Sequence, residues 1–124
     1  MLLCYQTDID AAKERTTHDD LSELVALHDQ LREAGVLLDV QCLRSTTSAT
    51  SMRVRGEVTE ITDGPFATTK EMLAGYYVVR CADLDAALAL AERLPSARTG
   101  TLEVRPLDSF AERLAASAEA IREA

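Results

Sequence analysis

Hydrophobic and polar positions change rhythm several times along this chain, and each rhythm predicts an element. Residues 1–6 form a short apolar run that reads as a strand, and residues 7–17 are polar and irregular. Leu21, Leu24, Val25, His28, Leu31 and Arg32 then recur at intervals of three and four, which predicts one helix over 18–34. Thr17 or Asp20 suits its start, and Gly35 suits the left-handed position beyond its end. Residues 36–43 are apolar and partly alternating, a second strand, and the Ser/Thr run at 45–51 is a loop. Alternation at 52–55 and 58–61, broken by Gly56, predicts a hairpin.

The strongest strand signal lies at 73–81, where Tyr76, Tyr77, Val78 and Val79 bring aromatic and β-branched side chains together. Asp83 caps a second helix with Leu84, Ala87, Leu88, Ala91 and Leu94 on its apolar face, ending before Pro95. Residues 101–107 alternate as a final strand. Ser109 and Glu112 have capping-box spacing and open a last helix carrying Phe110, Leu114, Ala118 and Ile121 on one side.

This order predicts an α+β fold of the ferredoxin-like, split βαβ kind, with an inserted hairpin and an extra C-terminal helix. The helices then cover one face of the sheet. Leu2 and Leu3, Tyr76 and Tyr77, and Val78 and Val79 place apolar residues on both faces, whereas a sheet with one wet face alternates cleanly. The second face therefore needs a cover, and the expected cover is a second copy, sheet against sheet in a homodimer.

Composition narrows the classes of partner. A chain of 124 residues suits one domain with a real core. Its net charge of −8 opposes unaided nucleic-acid binding, since phosphate affinity comes from Lys and Arg. Arg53, Arg55 and Arg105 are the candidates for a local basic patch, and the acidity suits a basic protein partner. The first five residues are too short for a signal-peptide core, and no run approaches a bilayer span, so a cytoplasmic protein without membrane partners is expected. Cys4, Cys42 and Cys81 lie far apart in strand-like segments, without CxxC or Cys/His spacing. They read as reduced core side chains, with neither metal nor cofactor expected.

Candidate chemistry concentrates in Asp63-Gly64-Pro65-Phe66-Ala67-Thr68-Thr69-Lys70-Glu71. Asp63 suits an Asx-type turn, Gly64 tolerates positive φ, Pro65 pre-sets the next corner, and Phe66 is expected to anchor the loop to the body. Thr68 to Glu71 has capping-box spacing and suggests a short helical turn. Asp63 and Lys70 are the candidate acid–base pair if burial shifts their ionisation. Glu103 and Arg105 share a strand face, and with Tyr76 and Thr68 they are the candidate ligand-binding residues. Tyr76 and Tyr77 point to opposite faces. His28, on the apolar stripe, reads as a core or interface histidine, and His18 as a solvated residue at the helix start.

The motif Asp63-Gly64-Pro65-Phe66, then Thr69-Lys70-Glu71 and Gly75-Tyr76-Tyr77, resembles the DGPF-domain family of YCII-related proteins. Further matches are Arg32-Glu33-Ala34-Gly35-Val36-Leu37, Asp83-Leu84-Asp85-Ala86-Ala87 and Glu103-Val104-Arg105-Pro106. The resemblance covers about residues 1–107, leaving 108–124 as a helix packed on the same domain or on a partner subunit. It implies a dimeric α+β barrel, and an association with extracytoplasmic-function sigma factors. Thr68, Met72 and Ala74 depart from the Glu, Gln and Gly usual in the family, and Thr68 removes one acid from the site. Two functional classes fit: a non-enzymatic regulatory or small-ligand-binding homodimer, and a small cofactor-free enzyme with Asp63 as base and Lys70 stabilising negative charge.

Overall fold

In a computed structural model describing residues 1–67 and 69–123, the predicted elements appear in the predicted order, with two short helices added. Strand β1 (Leu2–Gln6) leads through helix α1 (Ile9–Glu14) to the long helix α2 (His18–Glu33) and strand β2 (Leu37–Cys42). A single 3₁₀ turn (Thr46–Ser48) precedes the hairpin of β3 (Thr50–Arg55) and β4 (Val58–Asp63). Then follow β5 (Met72–Val79), α3 (Leu84–Glu92), α4 (Ser96–Thr99), β6 (Thr101–Val104) and α5 (Phe110–Glu123).

Four strands form one antiparallel sheet in the order β2-β5-β1-β6, while β3 and β4 pair only with each other. The first strand thus lies between the third and fourth strands of the sheet, which is ferredoxin-like topology with a hairpin inserted before β5.

Local chemistry explains most boundaries. Thr17 and Asp20 cap α2 reciprocally, each side chain accepting the other's backbone N–H at 3.1 Å. Accepting the Thr17 N–H holds the Asp20 carboxyl below its usual range. The helix ends in a Schellman arrangement, with Val36 N–H bonding Leu31 C=O and Gly35 N–H bonding Arg32 C=O. Ser109 caps α5 by accepting the N–H of Glu112 at 3.2 Å. Strand β6 stops at Val104, short of the predicted 107. Arg105 N–H still reaches Met1 C=O, but Pro106 has no N–H to continue the ladder.

The irregular reading of 7–17 is corrected by α1. Asp8 caps that helix by accepting the N–H of Ala11, and Ile9 alone is buried in it. Six residues with one apolar anchor are too few to show a helical period.

The core lies between one sheet face and helices α2 and α3. Leu2, Cys4, Leu37 and Tyr77 from the sheet meet Leu31 from α2 and Leu90, Ala91 and Leu94 from the α3 region. The stripes differ in detail from the predicted ones. On α2, Leu21 and Val25 are exposed while Leu27 joins the core, and on α3 Leu84 and Leu88 are exposed while Leu90 is buried. On α2 the covered positions are Leu24, Leu27, His28 and Leu31, and the first two turns are exposed up to Glu23. Cys42 also departs from expectation: it is exposed because β2 is an edge strand, whereas Cys4 is buried and Cys81 half-buried. Burial, helped by nearby Cys42, pushes the Cys4 thiol up to about 11, so it stays protonated.

Candidate functional site

The inserted hairpin determines where a cleft can form. Its two feet, the loop after β2 and the loop before β5, must lie side by side because β3 and β4 pair along their whole length, from Thr50 opposite Asp63 to Arg55 opposite Val58. The contact is fastened by backbone: Gly64 N–H donates to Ala49 C=O at 2.8 Å, and the Ser51 hydroxyl donates to Gly64 C=O at 2.8 Å. Gly64 makes this turn at φ +107°, a conformation that side-chain-bearing residues rarely adopt.

Between the two feet opens a cleft of about 530 Å³. One wall is Leu43, Arg44, Ser45, Thr46, Ser48 and Ala49, and the other is Pro65, Ala67 and Thr69 of the signature loop. Met72 and Leu73 at the start of β5, with Tyr5 of β1, close its base. Internal hydrogen bonds shape the first wall. Ser48 donates to Ser45 C=O at 2.7 Å, and Thr46 donates to the Met72 sulfur at 3.1 Å. Thr69 donates its hydroxyl to Glu71 C=O.

The signature loop therefore borders a cleft, through Pro65, Ala67 and Thr69 rather than through Asp63 or Lys70. Asp63 ends β4 and is exposed, Lys70 is exposed, and neither belongs to the lining. Thr68 lies outside the described residues. Residues 69–71 carry no helical turn, and the Gly64–Ala49 bond fixes the corner. The expectation that Phe66 anchors the loop in the body is also corrected. The hairpin carries the loop away from the core, and Phe66 is 78% exposed with the Arg53 guanidinium 5.2 Å from its ring centre. That is a cation–π contact on the surface.

The remaining candidates gather on the sheet face away from α2 and α3. Leu3 stands opposite both Tyr76 and Glu103, so these three share one row across the sheet. Arg105, just beyond the end of β6, pairs with Glu103 two residues before it at 2.9 Å. Tyr5 donates its hydroxyl to Glu103 at 3.1 Å, a bond that pushes the Tyr5 phenol up and keeps its proton in place. Tyr76 donates to Asp39 at 3.4 Å. Tyr5 thus links the cleft base to the Glu103–Arg105 pair.

Tyr77 faces the core, as the alternation of the two tyrosines requires. Its hydroxyl lies 2.9 Å from His28 Nε2, with the rings edge to face. Burial pushes the Tyr77 phenol up to about 12, and burial also lowers His28 below its ordinary value. His28 is therefore a neutral, partnered residue between helix and sheet. His18 starts α2 and is exposed.

Sequence reasoning missed Arg44 and the hydroxyls at 45, 46 and 48. Their signal was present: a hairpin brings its flanking loops together, so the Ser/Thr run had to adjoin the signature.

The comparisons with known proteins accord with this architecture. The model of the YCII-related domain matches residues 1–111, which takes in the four-stranded sheet, the hairpin and both walls of the cleft. An uncharacterised protein of Rhizobium meliloti (strain 1021) is 40% identical over 110 residues, spanning 86% of this chain and 89% of its own. With a family match over nearly the whole chain and a relative of similar length, the protein belongs to the YCII-related family.

Proposed function

We propose that the protein is a small-ligand-binding regulatory module acting as a homodimer. The observation that carries the reading is the cleft between the hairpin's feet. Its volume of about 530 Å³ falls in the roughly 300–1,000 Å³ range of small-molecule sites. Its wall mixes apolar surface with a few hydroxyls and one guanidinium, the usual make-up of a selective binding pocket. Asp63 and Lys70 are exposed and stand outside that lining, which favours binding over acid–base chemistry between them.

The open sheet face supports the dimer. Leu3, Tyr76 and Val78 are half-buried, yet none belongs to the core cluster. A second copy packed on this face would enclose the Tyr5–Glu103–Arg105 group next to the cleft. The family resemblance adds an extracytoplasmic-function sigma factor as the regulated partner. A tagged protein that recovers no sigma factor from a lysate rejects that partner.

The binding reading is tested by a ligand-observed NMR screen of small organic fragments. Hits should be lost when Ala49→Phe fills the cleft from one wall, and again with Ala67→Trp from the other. A screen whose hits are indifferent to both substitutions, in variants with unchanged circular dichroism, rejects the cleft as the site.

A further inference from the structure

The whole chain carries 21 acidic side chains against 13 Lys and Arg, so an average surface depression should be rimmed by carboxylates. The cleft shows the reverse. Among the described residues its lining contains one cation, Arg44, and no carboxylate. Arg44 has no carboxylate partner among the described residues, so its guanidinium is not already neutralised. A second cation stands nearby, since Lys13 of α1 donates to the carbonyl of Leu43 at 3.5 Å. Glu103, which Tyr5 reaches from the cleft base, is engaged by Arg105 at 2.9 Å and by the Tyr5 hydroxyl at 3.1 Å.

The rest of the wall narrows the ligand further. Leu43, Met72 and Leu73 present apolar surface, while Ser45 and Thr46 add hydroxyls beside Arg44. Lys13 stands outside the lining and is engaged by the Leu43 carbonyl, which leaves Arg44 beside hydroxyls and facing aliphatic side chains, a match for one carboxylate on an apolar body.

Building on the binding reading above, we propose that the cleft recognises small amphipathic carboxylates. The acid group sits on Arg44, and the apolar body lies against Leu43, Met72 and Leu73. Arg44 supplies the charge-assisted, planar fork that a carboxylate fits. In this reading the hairpin insertion exists to build an organic-acid pocket that a bare ferredoxin-like domain lacks.

The test uses the full chain and two probes of one size, benzoate and benzyl alcohol, titrated at millimolar concentration and followed by ¹H–¹⁵N correlation spectra. Benzoate should shift amides of 43–49 and 69–73 and bind about tenfold more tightly than benzyl alcohol, the scale of one charge-assisted hydrogen bond. Arg44→Gln should erase that preference while leaving weak binding of both probes, and Arg44→Lys should restore part of it. Arg55→Gln removes the same charge from the hairpin and should change nothing. Equal binding of the two probes by the unaltered protein overturns carboxylate recognition but leaves the cleft as a binding site. Shifts for neither probe in the cleft overturn both readings. Benzoate preference that survives Arg44→Gln overturns the assignment of Arg44.

Discussion

His28 shows how a single side chain can tie helix to sheet and leave a signature in pH. Its Nε2 meets the Tyr77 hydroxyl, and burial lowers its ionisation below the ordinary value of about 6.5. The unfolded chain therefore takes up the proton first as pH falls, and stability contributed by neutral His28 is lost on acidification through and below that value. Urea midpoints measured from pH 7.5 down to 5 should fall, and His28→Gln should flatten that dependence. A slope unchanged by the substitution would assign it to the carboxylates instead. Gly100 presents a different single-residue constraint. A Cβ placed there would collide with the carbonyl oxygen of Tyr5 and lie 2.8 Å from Gln6 Nε2. Gln6 is itself buried and donates to Thr99. Gly100→Ala should therefore destabilise by on the order of 2 kcal/mol, as overpacking does, read as a lowered urea midpoint.

Among the elements, those with a long period or strong β-branched content were legible from sequence, and the short ones were not. Helix α2 announced itself through sixteen residues and a reciprocal cap, and β5 through its run of Tyr and Val. Helices α1 and α4 span six and four residues, and neither can display a period. The candidate site was half legible. Residue chemistry drew attention to the charges of the signature, but a cleft is made of walls, and the facing wall lay some twenty residues upstream in a segment that reads as plain loop. Phe66 failed for a related reason. An aromatic beside Pro in a tight turn looks like an anchor, and its exposure follows from the hairpin, which leaves the main sheet altogether. That hairpin carries Met52 and Ile61 directly opposite one another, both about two-thirds exposed, with Val54 on the same side.

For the molecule as a whole, apolar side chains stand exposed or half-exposed on three separate elements. The sheet face bears Leu3, Tyr76 and Val78, the hairpin bears Met52 and Ile61, and α5 bears Phe110, Leu114 and Ile121 without burying any residue of its own. A second copy on the sheet face, as proposed above, would cover the part of this surface that lies there. Val78→Asp puts a charge on the open face, near the end of β5, while sparing the core. It should halve the mass seen by light scattering and leave the circular dichroism of the folded chain unchanged. An unaltered protein that already scatters as a monomer at micromolar concentration defeats the dimer.

The bond from Gly64 N–H to Ala49 C=O has a consequence for how the cleft can be watched. It joins the two walls at their common root, so the walls cannot part there without releasing that amide to solvent. Its deuterium uptake is therefore a built-in gauge of breathing between the loops. An occupant that bridges the walls slows the exchange of this one amide, and one that merely adheres to the rim leaves it untouched.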